Sequence, residues 1–393
     1  MTKSEIYPIA SSGRIAIVDI LRGWALIGVV LVNYFLFFYL PPGADIPRND
    51  FLSHFTRLLT DIFFTNKSRI MLNVLFGFGF ATVINNVKQK GINSVGFFSK
   101  RMFWLFLIGL VNTCLYYGDF LKDYAIVGIL MIPFHKAGRK ASLYIAVLLL
   151  FLYPVTGNYF GNHEIFSTKP ADLGLYQSHN LINVFSYGFF EGIKELYSLG
   201  RLLGINLFVL SCFLTGQYLY KIDFFVKIIN GEYSAKRLFW ISLSCTVLMG
   251  LLTNLLPRFT KTNVFKLYDT FFWLEFGLML VIMSSLCWLY KKGKLKRFFS
   301  SLEVVGKMTL SNYMIQNLLS IFLYSGFGLG LLGKIPLYVY ILLAASIYLA
   351  QTYFSRWWLS KYHYGFIEWI WRQAVYMKRL PLKRADIEGL GSK

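Results

Sequence analysis

Long apolar runs separated by short basic segments constrain the fold of this chain more than any other feature. A helix needs about 20 predominantly apolar residues to cross the hydrocarbon core of a bilayer. Because backbone polar groups must be satisfied inside that core, such runs predict helices. The predicted spans are 15–38, 68–87, 102–118, 121–135, 141–160, 201–220, 238–257, 267–290, 308–328 and 335–357. The sequence therefore predicts an all-α fold, a polytopic transmembrane helical bundle of about ten spans.

The composition favours a membrane protein and argues against a nucleic-acid-binding one. Hydrophobic residues make up 56% of the 393 residues and charged residues only 15%. The net charge of +21 would suit nucleic acid, but the basic residues lie in short segments between apolar runs. If the N-terminus is cytoplasmic, the cytoplasmic segments hold 26 Lys and Arg residues and the opposite segments hold 12. This bias predicts that both termini lie in the cytoplasm, with the lipid bilayer as a partner and no nucleic acid.

Two regions are expected along the chain. Residues 1–358 are predicted to form the transmembrane bundle, and residues 359–393 a cytoplasmic tail that is amphipathic, aromatic and basic. Within the bundle, residues 51–66 and 180–198 are predicted as interfacial helices rather than as spans. No soluble domain and no low-complexity linker interrupts this organisation.

The tail combines aromatic and basic side chains. Trp369 and Trp371 suit the level of the lipid headgroups, and the basic residues after them suit anionic lipid. Glu368 and Arg372 are four residues apart, which favours an ion pair on one face of a helix. We therefore predict a C-terminal helix that docks on the membrane surface.

Polar residues in the first span lie on one face of its helix. Arg22 and Asn33 are eleven residues apart and Asp19 and Asn33 are fourteen apart, close to three and four turns at about 3.6 residues per turn. A charge near the centre of a span costs about 2.5–3.5 kcal/mol, so this face is expected to point into the bundle or a wet cavity. Two interpretations remain open: Asp19 and Arg22 form an ion pair, or Arg22 binds an anionic substrate or cofactor.

Further polar residues stand inside apolar runs. Lys67, at the outer end of the second span, is either a functional cation or a side chain that reaches the lipid interface. Asn73 is expected to face the bundle. Glu275 is the acid most deeply placed in an apolar run, so it is either functional or held by a structural hydrogen bond. Asn312 and Gln316 share one helix face, where interhelical hydrogen bonding is the simplest interpretation.

Two carboxylates lie in a tight outer turn predicted over Tyr116 to Gly128. Asp119 and Asp123 are four residues apart beside Tyr124. Paired carboxylates can carry out acid–base chemistry. They can also be ordinary solvated loop acids, the interpretation we favour for Asp123, and Asp119 can be the N-cap of the helix that follows.

Several common sites have no signature in this sequence. No HxxxH, HExxH or Cys/His spacing occurs, so no metal site is predicted. The four cysteines lie in apolar runs without a CxxC pair and are interpreted as small hydrophobic residues. Neither a GxSxG elbow nor a P-loop is present.

Taken in order, these motifs resemble those of the YeiB-like family of bacterial multi-pass membrane proteins. The motifs are Asp19-x-x-Arg22-Gly23 with Asn33, Lys67 before Leu75-Phe76-Gly77, Gly118-Asp119 with Tyr124, Val305-Gly306-Lys307-Met308 with Asn312-Tyr313 and Gln316, and Gly365-x-x-Glu368-Trp369-x-Trp371-Arg372. They extend over almost the whole chain. The resemblance implies a multi-pass protein of the bacterial cytoplasmic membrane more than it implies an activity.

In organisation the chain is also similar to transmembrane acyltransferases, which move acyl groups from a carrier onto extracytoplasmic sugars. One of those groups has Arg-x10-His in its first span, and the matching positions here are Arg22 and Asn33. Asparagine cannot act as a general base, so this chain departs from that mechanism. The heparan-glucosaminide acetyltransferase group carries its histidine in the following outer loop, ahead of an aspartate, and His54 and Asp61 are the nearest counterparts here.

Two functions follow as expectations, and a non-catalytic partner or sensor is a third. The first is a membrane acyltransferase that moves an acyl group from a cytoplasmic carrier, such as acyl-CoA, to a sugar or lipid acceptor outside, with Asp119, His54 or Lys67 as the catalytic residue. The second is a transporter or exporter of a small anionic or amphipathic compound, with Arg22 and Glu275 as pathway charges. The residues expected to bind the ligand are Asp19, Arg22, Asn33, Asn73, Tyr124, Glu275, Asn312, Gln316, Glu368 and Arg372.

Overall fold

The computed structural model describes residues 14–39, 50–161, 170–198, 200–259 and 268–384. Within these ranges the chain is helical, apart from turns and one isolated antiparallel bridge between Tyr362 and Lys383. The predicted all-α bundle is therefore confirmed. The helices are α1 Ala16–Tyr39, α2 Phe51–Phe63, α3 Lys67–Gln89, α4 Ser94–Leu115, α5 Leu121–Leu130, α6 Arg139–Gly161, α7 Pro170–Tyr176, α8 Leu181–Leu196, α9 Asn206–Lys221, α10 Phe224–Asn230, α11 Ala235–Phe259, α12 Phe271–Lys291, α13 Lys296–Lys307, α14 Thr309–Tyr324, α15 Leu337–Lys361 and α16 Phe366–Tyr376.

Eight helical segments in the described ranges are long and apolar enough to cross a membrane. They are Ala16–Phe37, Phe51–Gln89, Ser94–Leu115, Arg139–Gly157, Gly200–Lys221, Ala235–Leu255, Phe271–Lys291 and Leu337–Lys361. Two of the predicted spans, 121–135 and 308–328, are not among them, because α5 has 10 residues and α14 has 16. Both fall short of the about 20 residues that a span normally needs.

Helix α5 nevertheless runs between the same two ends of the bundle as the neighbouring span α9. A 3₁₀ turn, Ile132–Lys136, extends α5. Near the start of α5, Asp123 binds Arg201, which lies just before α9. Beyond the 3₁₀ turn, the backbone oxygen of Ala137 accepts a hydrogen bond of 2.5 Å from Lys221, the last residue of α9. The predicted fourth span is therefore a short helix whose length is completed by the 3₁₀ turn.

Helix α14 also crosses the depth of the bundle. At its start, Ser311 contacts Glu368 of the tail helix α16. At its end, the ring of Tyr324 stacks on that of Tyr340 with a centroid distance of 4.9 Å. Tyr340 lies near the start of α15, and α15 ends next to the tail. The two ends of α14 therefore reach opposite ends of α15.

Glycines allow two pairs of helices to pack closely. A Cβ atom at Gly23 would lie 2.0 Å from a backbone oxygen of α13, and one at Gly306 would lie 1.8 Å from a backbone oxygen of α1. Between α3 and α9, Gly77 and Gly216 are equally tight, at 2.2 and 2.0 Å from opposing backbone oxygens. Small residues allow helix backbones in a membrane to approach this closely. Gly79 differs, because its face is occupied by the side chain of Arg22.

The boundary of the third span differs from the prediction. Helix α4 begins at Ser94, eight residues before the predicted start at 102. The Asn93 side chain accepts a hydrogen bond of 3.1 Å from the Gly96 backbone N–H and caps the helix. Arg101, predicted in a cytoplasmic loop, therefore lies inside α4.

The predicted interfacial helix at 51–66 turns its apolar side outward. Helix α2 buries Ser53 and Thr60. This reversed pattern suits a helix that faces hydrocarbon, because an exposed apolar surface of this size marks contact with lipid or protein. The exposed apolar residues are Phe51, Leu52, Phe55, Leu58, Leu59, Ile62 and Phe63.

Candidate binding cavity

A cavity of about 750 Å³ lies within the bundle, and one face of α1 forms much of its wall. The cavity follows α1 from Ile15 to Leu36, about 32 Å at about 1.5 Å per residue, close to the ~30 Å thickness of the hydrocarbon core. The structure places Asp19, Arg22 and Asn33 together on this face, as their spacing predicts. The lining residues at this helical spacing are Ile15, just before α1, and Val18, Asp19, Arg22, Leu26, Val29, Asn33 and Leu36 of α1.

Asp19 and Arg22 form an ion pair in the cavity wall. One guanidinium nitrogen of Arg22 lies 3.0 Å from Asp19 Oδ1, and the other donates to the Leu75 backbone oxygen at 3.4 Å. The second carboxylate oxygen, Asp19 Oδ2, is buried without a hydrogen-bond partner in the described ranges. The two interpretations of this pair are therefore compatible, because the ions are paired and also line the cavity.

Basic side chains dominate the end of the cavity at which α1 begins, called here the basic end. Five cations line it and two acids accompany them. An excess of cations in a cavity with low-dielectric walls raises the local concentration of anions. The cations are Arg14, Arg22, Arg101, Lys307 and Arg372, and the acids are Asp19 and Glu368.

Glu368 caps the first turn of α14. Its Oε1 accepts hydrogen bonds from the backbone N–H groups of Leu310 at 2.8 Å and Ser311 at 3.2 Å, and its Oε2 accepts one from the Ser311 hydroxyl. The predicted ion pair between Glu368 and Arg372 is wrong, because the unsatisfied N–H groups of a helix start attract this carboxylate. Burial raises the pKa of Glu368 above its ordinary value, although the hydrogen bonds from Ser311 lower it.

The tail helix α16 packs against the basic end of the bundle. The indole N–H of Trp371 donates to the backbone oxygen of Arg101 at 3.0 Å, and Tyr376 packs against Phe97 of α4 with a ring distance of 5.2 Å. Trp371 is buried, whereas the prediction placed it at the lipid headgroups. The tail helix therefore forms part of the cavity wall, to which Glu368, Trp371 and Arg372 contribute.

Arg201 organises a buried charge cluster in the part of the bundle remote from the basic end. It binds both carboxylate oxygens of Asp123, at 2.9 and 2.6 Å, and also Glu195 and the Asp119 backbone oxygen at 2.8 Å. A π-helical turn, Gly200–Ile205, carries this arginine. The prediction of a solvated Asp123 is wrong, because Asp123 is fully buried against Arg201.

Sequence reasoning missed Arg201 as a site residue and treated it as a loop cation. Arg201 and Glu195 both line the cavity, as does Arg69. The only local signal was an arginine between two glycines, Gly200 and Gly204, at the start of an apolar run.

Asp119 is fully engaged in hydrogen bonds. Its Oδ1 accepts from Asn112 at 2.6 Å and from the Tyr313 hydroxyl at 3.1 Å, and its Oδ2 accepts from the Leu121 backbone N–H at 3.0 Å. Burial raises the pKa of Asp119. The last of these bonds holds the start of α5, but the prediction of Asp119 as the N-cap is wrong by one residue, because Phe120 occupies that position.

Glu275 contacts both Asn66 and Lys67. The amide of Asn66 donates to both carboxylate oxygens of Glu275, at 2.7 and 2.8 Å, and Lys67 Nζ lies 3.8 Å from Glu275 and 2.7 Å from the Asp61 backbone oxygen. The interpretation of Lys67 as a side chain at the lipid interface is wrong, because its side chain is only 4% exposed. His54 lies on the exposed side of α2.

The three residues predicted as catalytic therefore have separate surroundings. Asp119, His54 and Lys67 do not line the cavity, and neither does Glu275. Their predicted roles remain predictions.

The remaining predicted binding residues divide between the cavity and helix contacts. Tyr124 lines the cavity and donates a hydrogen bond to Asn73 behind it. Asn312 and Gln316 each donate a hydrogen bond to a side chain of α15, at 3.0 and 2.7 Å, which matches the simplest interpretation. Asn33 lines the cavity, and its side chain forms no hydrogen bond with the rest of the described chain.

Sequence comparisons find relatives along almost the whole chain. "Uncharacterized protein YxaH" of Bacillus subtilis (strain 168) is 25% identical over 405 residues, which cover 97% of this chain and 99% of the relative. The "Uncharacterized 39.9 kDa protein in amylase 3'region" of Bacillus acidopullulyticus is 27% identical over 391 residues, covering 96% and 99%. "Uncharacterized protein YeiB" of Escherichia coli (strain K12) is 24% identical over 399 residues, covering 90% and 94%.

A family match covers the C-terminal part of the chain. Residues 219–378 match the family described as "Protein of unknown function (DUF418)", and this region includes Lys307, Glu368 and Arg372 of the basic end. No solved structure matches the chain. These matches confirm the predicted resemblance: the chain is similar along almost its whole length to the uncharacterized bacterial proteins YxaH and YeiB, and its C-terminal part matches the DUF418 family.

Proposed function

We propose that this protein is a membrane acyltransferase that moves an acyl group from an anionic carrier on the cytoplasmic side to an acceptor on the opposite side. The observation that carries the proposal is the cavity that follows α1 for about 32 Å at ~1.5 Å per residue. It is basic at one end and polar again at the other. Its middle section is lined by apolar side chains that suit an acyl chain, including Leu26, Val29, Leu72 and Phe76.

The transfer requires a base near the acceptor. The acceptor oxygen attacks the thioester carbonyl carbon, the carbon–sulfur bond breaks, and the hydroxyl proton ends on the departing thiol. Glu195 is the carboxylate that lines the cavity away from the basic end, which makes it a candidate base alongside the residues expected from the sequence. Burial raises the pKa of Glu195, although Arg201 lowers it, and a base works best with a pKa near the working pH.

The proposed location is the bacterial cytoplasmic membrane. The relatives come from bacteria, and the basic end carries the cations that the positive-inside rule places in the cytoplasm. A soluble cytoplasmic carrier would then reach the cavity at Arg14 and Arg22. The acceptor, a sugar or a lipid, would arrive near Glu195.

Transport of a small anionic or amphipathic compound is the second candidate. One observation favours it: the cavity also carries Arg69, which forms no ion pair with the described residues, away from the basic end, so an anion can be held at either end. A transporter needs anion-binding positions at both ends of its path, whereas an acyltransferase needs one only at the end that binds the donor.

Acyl transfer is tested with the purified protein in nanodiscs, radiolabelled acyl-CoA and a panel of sugar and lipid acceptors. We expect labelled product from the wild type and a loss of about 100-fold in Glu195→Gln, the magnitude typical of removing a general base. Glu191→Gln is the matched control, because Glu191 lies on the same helix and pairs with the exposed Lys194. We expect it to retain activity within about twofold.

The result that would overturn the proposal is an absence of product with every acceptor. The same wild-type protein is then placed in sealed vesicles. Accumulation of a labelled anionic compound, without chemical change, would favour the transporter.

A further inference from the structure

We propose that Arg101 of α4 and Arg372 of α16 form a cradle that binds a phosphate group at the basic end of the cavity. This inference rests on the proposed function only for the identity of the molecule that carries the phosphate. It deepens that function, because it names the chemical group by which the donor is held. It also makes the tail helix a part of the binding site.

Both guanidinium groups are positioned by aromatic rings, and neither has a counterion among the described residues. The Arg101 guanidinium lies 3.9 Å from the centre of the Trp371 ring, and that of Arg372 lies 4.6 Å from the centre of the Tyr364 ring. Neither forms an ion pair or a side-chain hydrogen bond with any residue in the described part of the chain. A stacked guanidinium keeps its N–H groups at the edge of its plane, where they can form paired hydrogen bonds with phosphate oxygens.

The acids near the cradle are committed to other partners. Each of three carboxylates has its short contacts elsewhere, so none forms an ion pair with either arginine, although Glu368 still acts on Arg372 over a longer distance. Asp19 pairs with Arg22 at 3.0 Å, Glu303 pairs with Lys307 at 2.6 Å, and Glu368 accepts hydrogen bonds from the start of α14.

Positive charges outnumber negative ones around the cradle. Burial lowers the pKa of Arg372, and the positive charge of Arg14 lowers it further. This environment disfavours a cation, and an anion placed between the arginines would relieve it. Phosphate suits the position, because it offers several oxygens to two planar donors at once.

The two arginines come from elements that are joined at the same point. Arg101 lies in the bundle, Arg372 lies in the tail, and the Trp371 indole bonded to the Arg101 backbone holds the two together. A phosphate bound there would bridge the tail to the bundle. The apolar middle of the cavity begins beyond it, so the ligand class is a phosphate-bearing head with an apolar chain.

Binding is measured by calorimetry on the full-length protein in phosphatidylcholine nanodiscs, with coenzyme A and inorganic pyrophosphate as soluble probes. We expect Arg101→Gln and Arg372→Gln each to raise the Kd by about tenfold or more, and Arg101→Lys to raise it less, because lysine keeps the charge without the planar fork. Lys100→Gln is the matched control: it removes an equal charge one residue away, and Lys100 is exposed and contacts Met377. We expect its Kd to stay within about twofold.

A second arm replaces part of the phosphatidylcholine with phosphatidic acid and measures the thermal stabilisation of the protein. Binding of the soluble probes indicates a soluble carrier, whereas stabilisation by phosphatidic acid alone indicates a lipid headgroup. Either result supports the cradle if the glutamine variants lose that binding or that stabilisation. If a glutamine variant does not fold, the lysine variants at both positions supply the comparison.

The cradle is overturned if all three phosphate ligands bind the variants as tightly as the wild type, if none of them binds the wild type, or if Lys100→Gln loses binding to the same extent. These measurements need no turnover. Binding that depends on the cradle without any acyl transfer would therefore contradict only the proposed function, and acyl transfer with unaffected binding would contradict only the cradle.

Discussion

Arg201 shows how a single buried charge can be kept ionised inside an apolar bundle. Its side chain is 2% exposed, and its guanidinium meets the carboxylates of Asp123 and Glu195 as well as a backbone oxygen. The ring of Phe120 covers its face at 4.8 Å. Burying a charge costs much less free energy when it is paired and hydrogen-bonded in this way. The cluster therefore depends on all of its members.

We predict that Arg201→Gln destabilises the folded protein strongly. Removing one partner of a buried ion pair costs about 3–5 kcal/mol, because Asp123 stays buried without its counterion. Thermal unfolding of the purified variant in detergent checks this, and Asp123→Asn added to Arg201→Gln should recover part of the loss. Lys194→Gln is the control, because this surface lysine is 67% exposed and its loss should change the stability little. Equal unfolding temperatures for Arg201→Gln and the control would contradict the prediction.

At the scale of secondary-structure elements, the tail helix is held to the bundle by a charge at a helix start. Glu368 satisfies N–H groups at the beginning of α14. Gly365 makes this possible, because a Cβ atom there would lie 2.1 Å from the Glu368 carboxylate. The cap therefore links two elements that are more than 50 residues apart in the sequence.

We predict that Glu368→Ala lowers the free energy of unfolding by about 1–3 kcal/mol, because buried N–H groups of α14 lose their acceptor. Glu368→Gln should cost less, since its amide oxygen can still accept a hydrogen bond. Glu303→Ala is the control, because this acid forms an ordinary i,i+4 pair with Lys307, worth only a few tenths of a kcal/mol. Thermal unfolding measures all three variants. A control as unstable as Glu368→Ala would show that the cap is unimportant.

Local periodicity explains which elements were predictable. Apolar runs of span length located eight of the helices, and the spacing of Asp19, Arg22 and Asn33 predicted their common face. The start of α4 was not predicted, because the basic pair Lys100 and Arg101 ends the apolar run. The helix begins before this pair, where Asn93 caps it.

Contacts between distant segments explain what was not predictable. The i,i+4 rule predicted a pair between Glu368 and Arg372, but α14, remote in sequence, offers better partners to Glu368. The bond between Asp123 and Arg201 joins positions 78 residues apart, so no local pattern contains it. The same applies to the stacking of Arg101 on Trp371. These are the side chains that shape the ends of the cavity.

At the scale of the whole molecule, we predict that the basic end faces the cytoplasm. Lysines and arginines near the ends of spans favour that side. A fluorescent protein fused to the C-terminus should fluoresce in bacterial cells, and alkaline phosphatase fused after Gly333, between α14 and α15, should be active. An active phosphatase at the C-terminus and an inactive one after Gly333 would show the opposite orientation and contradict the prediction.

The central claim is that a water-accessible cavity runs through the bundle beside the Asp19–Arg22 pair. The most direct test is the rate at which a charged, water-soluble thiol reagent labels single cysteines in nanodiscs. Val29→Cys and Leu72→Cys face the cavity from α1 and α3, and Leu248→Cys on α11 is exposed on the outside of the bundle. The background protein has its native cysteines replaced, at Cys114, Cys212, Cys245 and Cys287.

We predict rapid labelling at Val29→Cys and Leu72→Cys, at least about tenfold faster than at Leu248→Cys, because a thiol reacts as its thiolate, which hydrocarbon disfavours. Coenzyme A should slow the labelling of the two cavity positions and leave Leu248→Cys unchanged. Labelling of both cavity positions no faster than that of Leu248→Cys would contradict the claim.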